Sequence, residues 1–330
     1  MRKIKYSQAI NEAFHQVMNR EKNVIVMGIG VNSPWYVGHT MEGLFKKFGC
    51  NRVIDTPVSE NGFTGIAVGA AMSGLRPVVI HPRMDFMYYS FDQIINQAAN
   101  WHYMFGGSVN VPLTLRGIVN RGGEQAAQHS QSIQALFMHI PGLKVVMPAT
   151  PSDAKGLLIS SVLDNNPVIY IDDRWLYDIE DDVPDGFYQV PIGEAKVLKQ
   201  GKDVTIIASS YLVYEGLKAA EKLGALDNID AELLDLRTIK PLDTSRIFDS
   251  VKKTGRVVIA DGGWQTAGAS AEVSALISSE IFSSLKAPVR RVCLPDAPAP
   301  ASKTLEQVYY PHSEDIYLSV KQVMGYKEKA

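Results

Sequence analysis

The sequence has almost no cysteine. Cys50 and Cys293 are the only two in 330 residues, which excludes a disulfide framework and a CxxC metal pair. It has no surplus charge of either sign: 33 Lys and Arg stand against 35 Asp and Glu, a formal net charge of -2. No basic field is therefore available to hold nucleic acid or an anionic membrane. No apolar run approaches the ~20 residues of a spanning helix. The opening MRKIKYSQAINEAF is basic but has no long apolar core behind it, so it is not read as a signal peptide, and a reducing, cytoplasmic setting is expected. A Walker loop, HExxH and GxSxG are all missing, and the seven histidines show no metal-ligand spacing. Gly28-Ile29-Gly30 follows a strand-like run, but a dinucleotide turn needs a third glycine where Ser33 stands.

What is present is ordinary globular composition, 46% hydrophobic and 21% charged, in a chain long enough for two domains. Ile10, Ala13, Phe14 and Val17 share one helical face in 7–18. Short apolar runs at 24–27, 77–80, 112–118, 143–147 and 168–171 read as buried strands. Helical stretches at 91–104 and 152–163 separate some of them. Between the first two runs, 62–73 reads as a helix of small residues ended by Gly74. Several glycines inside a helix, each costing about 1 kcal/mol, imply close approach to another helix or a ligand. The acidic stretch 178–186 reads as a linker. Beyond it, strands at 204–208, around 233 and at 257–260 alternate with helices at 214–223, 267–279 and 315–324. Asp261-Gly262-Gly263 reads as a turn after a strand. The expected fold class is α/β, two doubly wound domains, 1–190 and 191–330.

The segment Asp55-Thr56-Pro57-Val58-Ser59-Glu60-Asn61-Gly62-Phe63, followed by GIAVGAAMSGLRP, resembles the beta subunits of thiamin-diphosphate-dependent 2-oxoacid dehydrogenases of the pyruvate and branched-chain type. FDQIINQAA (91–99), AAQHSQ (126–131), PGLKVVMPATPSDAKGLL (141–158), DNNP (164–167), LDLRTIKPLD (234–243) and TGRVVIADGG (254–263) extend the likeness over nearly the whole chain. The resemblance implies a pyrimidine-binding transketolase-like domain followed by a transketolase C-terminal-like domain. It places Glu60 on the N1′ nitrogen of the cofactor's aminopyrimidine, where a carboxyl drives the imino tautomer. Val58 and Phe86 become cofactor contacts, Phe86 as an aromatic face. His129 becomes the imidazole facing the substrate. Main-chain oxygens of Leu113, Ser161, Val162, Asp164 and Asn166 match a structural potassium site of some relatives, and an ordinary helix-ending turn is the equal alternative. No Gly-Asp-Gly with a downstream Asn-Asn is present to hold magnesium and the diphosphate. The resemblance assigns that half to an alpha-type subunit in an α2β2 assembly, with a lipoyl acyltransferase core as a further partner.

The chain also departs from that pattern. Ile29 and Gly30 stand where the family has an acidic pair, Met84 where an aromatic is common, and Tyr89 where a glutamine is common. Tyr89 and Arg83 are substrate-side candidates. Arg83 and Arg174 either fork onto a carboxylate or phosphate or pair with a surface aspartate. Three readings stay open: oxoacid decarboxylation with acyl transfer, a two-subunit transketolase or carboligase acting on a sugar or aldehyde, and a non-catalytic scaffold.

Overall fold

The computed structural model describes residues 1–33 and 35–325. They form two compact units: residues 1–121 with 128–192, and residues 122–127 with 193 onward.

The first unit runs β1 (Arg2–Lys5), α1 (Tyr6–Arg20), β2 (Val24–Gly28), α2 (Leu44–Phe48), β3 (Val53–Asp55), α3 (Glu60–Met72) and β4 (Arg76–His81). A 3-10 turn (Met84–Ser90) and a π-helical turn (Asp92–Ala98) lead into α4 (Ala99–Met104). Then come β5 (Thr114–Val119), α5 (Gln134–His139), β6 (Lys144–Val146), α6 (Pro151–Leu163), β7 (Val168–Asp173) and β8 (Glu180–Val183). Six strands lie parallel in the order β6-β7-β5-β4-β2-β3. The middle strands β7, β5, β4 and β2 are buried almost throughout, which is why they read as continuous apolar runs rather than alternating ones. Helix α1 turns Ile10, Ala13, Phe14 and Val17 inward and packs on α6. Thr150 caps α6, its Oγ1 accepting the Asp153 N–H at 3.1 Å, with Pro151 at the first helical position. Gly74, at φ +94°, ends α3 by letting the Leu75 N–H reach back to Ala70 O at 3.1 Å.

The stretch 178–186 is not the linker expected from its composition. Its acidic core is β8, paired antiparallel with the basic β1 so that Arg2 faces Val183 and Lys5 faces Glu180. Lys5 Nζ lies 2.8 Å from Asp178 and Arg2 Nε 3.2 Å from Asp185. Each strand alone reads as a charge run; opposite charge across a ribbon stabilises the pair.

The second unit runs β9 (Lys196–Lys199), β10 (Val204–Ala208), α7 (Leu212–Asp227), β11 (Ala231–Asp235), β12 (Thr238–Lys240), α8 (Thr244–Thr254), β13 (Val257–Trp264), α9 (Ala269–Glu280), β14 (Arg290–Leu294), α10 (Lys303–Tyr309) and α11 (Ser313–Met324). Its sheet order is β14-β13-β10-β11-β9, with only β9 antiparallel. Asp261-Gly262-Gly263 is not a turn, because β13 continues to Trp264. Asp261 accepts from the Gly263 N–H (3.0 Å) and from the Ser270 N–H at the start of α9 (2.9 Å). The carboxylate thus joins the strand end to the helix start.

Candidate functional site

In a parallel sheet, ligands bind beyond the carboxyl ends of the strands. That edge of the first unit collects most of the residues singled out from the sequence. Val58 and Glu60 follow β3, Arg83, Phe86 and Tyr89 follow β4, His129 lies between β5 and α5, and Arg174 follows β7. The five candidate potassium ligands lie elsewhere. Leu113 precedes β5, Asp164 and Asn166 precede β7, and Ser161 and Val162 close α6, so they sit at the amino edge.

Glu60 opens α3 and is 8% exposed. Its first turn is clamped from the 3-10 turn: Ser90 Oγ donates to Glu60 O at 3.0 Å and lies 3.0 Å from Thr64 Oγ1. Among the described residues its carboxyl has no hydrogen-bond or ion-pair partner. Of its apolar neighbours in sequence, Phe63 is buried, whereas Val58 and Ile66 are exposed. The glycines of α3 are only partly explained within the chain. A Cβ at Gly65 would press on the Gln93 side chain, but one at Gly69 would meet nothing.

Phe86 is half-buried and meets His129 edge to face, with ring centroids 5.4 Å apart. Burial and the Arg83 charge both hold the His129 imidazole below its ordinary range, favouring the neutral ring. Burial, then the like charge of Arg174, lowers Arg83 as well. Arg174 is half-buried, donates to Tyr36 O at 2.6 Å and stands over the Tyr177 ring. No aspartate pairs with it among the described residues, so for Arg174 the surface-pair reading is not what the structure has. Tyr89 is exposed.

Three features escaped the sequence reading. Arg116, fully buried on β5, forks onto Asp172 of β7 at 2.9 and 2.7 Å and also donates to Thr40 Oγ1 and to Tyr177 OH. Burial opposes its charge, but Asp172 and Tyr177 outweigh burial and raise its pKa. Arg121 joins Asp173 at 2.6 Å and Ser132 Oγ at 2.8 Å, anchoring the segment that carries His129. A charge inside an apolar strand run was the available signal, since such a charge must be paired. The second feature is His81, fully buried beside Phe63, with neither ring nitrogen bonded among the described residues. Burial lowers its pKa to about 3, so it is neutral. The third is Gly30, at φ +70°, whose missing side chain is replaced by the Tyr36 ring: any Cβ there would run into it. At Gly30, one of the two positions of the family's acidic pair, a ring thus occupies the space of the side chain.

At the amino edge, Arg76 Nη1 donates to Val162 O (3.1 Å) and Asp164 O (2.8 Å), while Ser161 O and Leu113 O accept from Asp164 N and Val168 N. The Asp164 carboxylate pairs with Lys144. Among the described residues no three His, Cys, Asp or Glu side chains gather as a metal site, and no helix is long and apolar enough to cross a membrane.

Both units of the chain match known families. The family model "Transketolase, pyrimidine binding domain" matches residues 2–178 and "Transketolase, C-terminal domain" matches 193–316. The acetoin:2,6-dichlorophenolindophenol oxidoreductase subunit beta of Cupriavidus necator is 43% identical, over 98% of each chain. The pyruvate dehydrogenase E1 component subunit beta of Rickettsia felis is also 43% identical, over 97% of this chain and 98% of its own. A solved split-gene transketolase, described as an inactive beta4 tetramer, shares the fold with a TM-score of 0.80 at 22% identity, covering 97% of this chain and 98% of its own. Matched by both domain models over nearly its whole length and 43% identical to two beta subunits, this chain belongs to the transketolase family, among the beta-type subunits of the pyruvate and acetoin dehydrogenases.

Proposed function

We propose that this chain is the half of a two-subunit thiamin-diphosphate enzyme that activates the aminopyrimidine, in a reaction that cleaves a 2-oxoacid or acyloin and passes on the acyl unit. The observation that carries the reading is Glu60, a residue largely buried at a helix start whose carboxyl has no protein partner among the described residues. A carboxyl with no protein partner is free to face a ring nitrogen, the contact that activation of the aminopyrimidine requires. Thiamin diphosphate, when bound, supplies the nucleophilic carbon that adds to a substrate carbonyl. Glu60 would hold the proton at N1′, Phe86 would pack on the pyrimidine, and the exposed Val58 would be available to its edge. Neutral His129 donates to, or takes a proton from, the substrate oxygen. Tyr89 and Arg83 face the substrate side.

The names of the relatives support an alpha-type partner. That partner holds magnesium and the diphosphate, in an α2β2 assembly located in the cytoplasm, and a lipoyl acyltransferase accepts the acyl unit. A potassium ion at the Leu113, Ser161, Val162, Asp164 and Asn166 turn would share it with Arg76 and use the second lone pair of each carbonyl. The polar Arg83, Asp85 and Arg174 loops favour a second reading, a carboligase or transketolase taking a larger polar substrate.

The test is the purified chain with its alpha-type partner, assayed with an artificial electron acceptor. Pyruvate or acetoin should reduce the acceptor, and Glu60→Gln should abolish this while the pair stays assembled. Turnover of ketose donors with no response to any oxoacid or acyloin selects the second reading. Wild-type activity in Glu60→Gln removes both.

A further inference from the structure

One buried carboxyl at this edge has no task in the proposed reaction. Asp85 is 4% exposed and immediately precedes Phe86. Its Oδ1 accepts the Gln131 N–H at 3.1 Å, two residues past His129. Tyr88, on the same 3-10 turn, donates from its hydroxyl to Gln131 Oε1 at 3.1 Å. The turn after β4 and the segment after β5 are therefore pinned together beside the Phe86–His129 ring contact of 5.4 Å. The second oxygen, Asp85 Oδ2, is buried with no hydrogen-bond partner among the described residues. Burial is the main reason that the pKa of this carboxyl rises to about 6, against the Gln131 bonds and the Arg83 charge. An apolar residue would avoid that cost, so its presence calls for a job that the second oxygen does not do. Outside its own turn, the carboxyl holds the His129 segment at Gln131, through the main-chain N–H.

We propose that Asp85 is a positioning residue: by holding the Gln131 N–H, its carboxyl sets the His129 imidazole against Phe86 in the orientation the substrate meets. The functional half of this statement rests on the role proposed for His129. The structural half does not.

Full-length chain carrying 13C-labelled histidine rings tests it by NMR, alone and with the alpha-type partner. The Phe86 ring current shifts the His129 ring-proton signal, and Phe86→Leu identifies that signal. Asp85→Asn keeps an acceptor oxygen and should keep both the shift and kcat within about 3-fold. Asp85→Ala removes the acceptor and should lose the shift. It should also lose about 10-fold or more in kcat, with KM moving less, because misplacing a reacting group by ~1 Å costs up to ~100-fold. An unmoved His129 signal in Asp85→Ala overturns the proposal, as does equal loss in the two variants. If Asp85→Ala does not fold, Asp85→Asn decides: a retained shift supports the proposal and a lost shift overturns it. The spectra need no turnover. Inactivity toward every donor would therefore remove the proposed function and leave the positioning claim to stand or fall on the signal.

Discussion

Replacing Arg116 with methionine tests the site's foundation. The guanidinium is fully buried and serves Asp172 through two bonds, Thr40 and Tyr177 through one each. In Arg116→Met, the equally buried Asp172 keeps, among the described residues, the Tyr177 hydroxyl at 2.6 Å. Breaking a buried pair from one side costs about 3–5 kcal/mol, because one charge is left without its partner. At roughly 2–4 °C per kcal/mol for a unit of this size, the first unit should melt about 10 °C lower. Thermal melting followed by near-ultraviolet dichroism reads this loss. Asp172→Leu alone should cost a similar amount. The double variant Arg116→Met/Asp172→Leu should recover most of it, since well-packed apolar replacements of a buried pair are often neutral. A single variant that melts within a degree or two of wild type would refute the reasoning. So would a double variant no better than the worse single one, because the stabilisation would then lie outside the pair.

His81→Phe should raise the melting temperature and flatten its acid dependence. Burial lowers the His81 pKa from 6.5 to about 3, so its contribution is intact above pH 6.5 and falls away as pH drops toward 3. A melting temperature with the same acid slope in both proteins would contradict this. Gly30→Glu should destabilise by about 1–3 kcal/mol, from left-handed strain and overlap with Tyr36, and Tyr36→Ala should restore part of it; full stability in the single variant would show that the ring moves aside freely. Potassium chloride should raise the melting temperature over sodium chloride at equal ionic strength if the ion shares the turn with Arg76, and identical melts would leave that turn to the arginine alone. Calorimetry of the chain without its partner should show weak binding of thiamin diphosphate, and tight binding would overturn the divided site.

The sequence determined where the buried strands lie, because a strand covered on both faces must be apolar along its length, as Val78 to Ile80 and Val168 to Ile171 are. It also determined the head of α3, where Glu60 sits before a run of small residues that no ordinary helix would carry. What it left open depends on partners distant in the chain. Lys196–Lys199 and Arg290–Leu294 are sheet edges, half-exposed and charged, and only the neighbouring strand makes them strands. The acidic 180–183 becomes β8 only against the basic β1. Arg116 and Asp172 read as misplaced charges until two strands set them side by side, and Gly30 reads as a gap until Tyr36 fills it. A local pattern records what a residue must be buried from or exposed to. Which opposite charge, ring or N–H it meets is fixed by chain segments many residues away, and the folded arrangement alone brings those together.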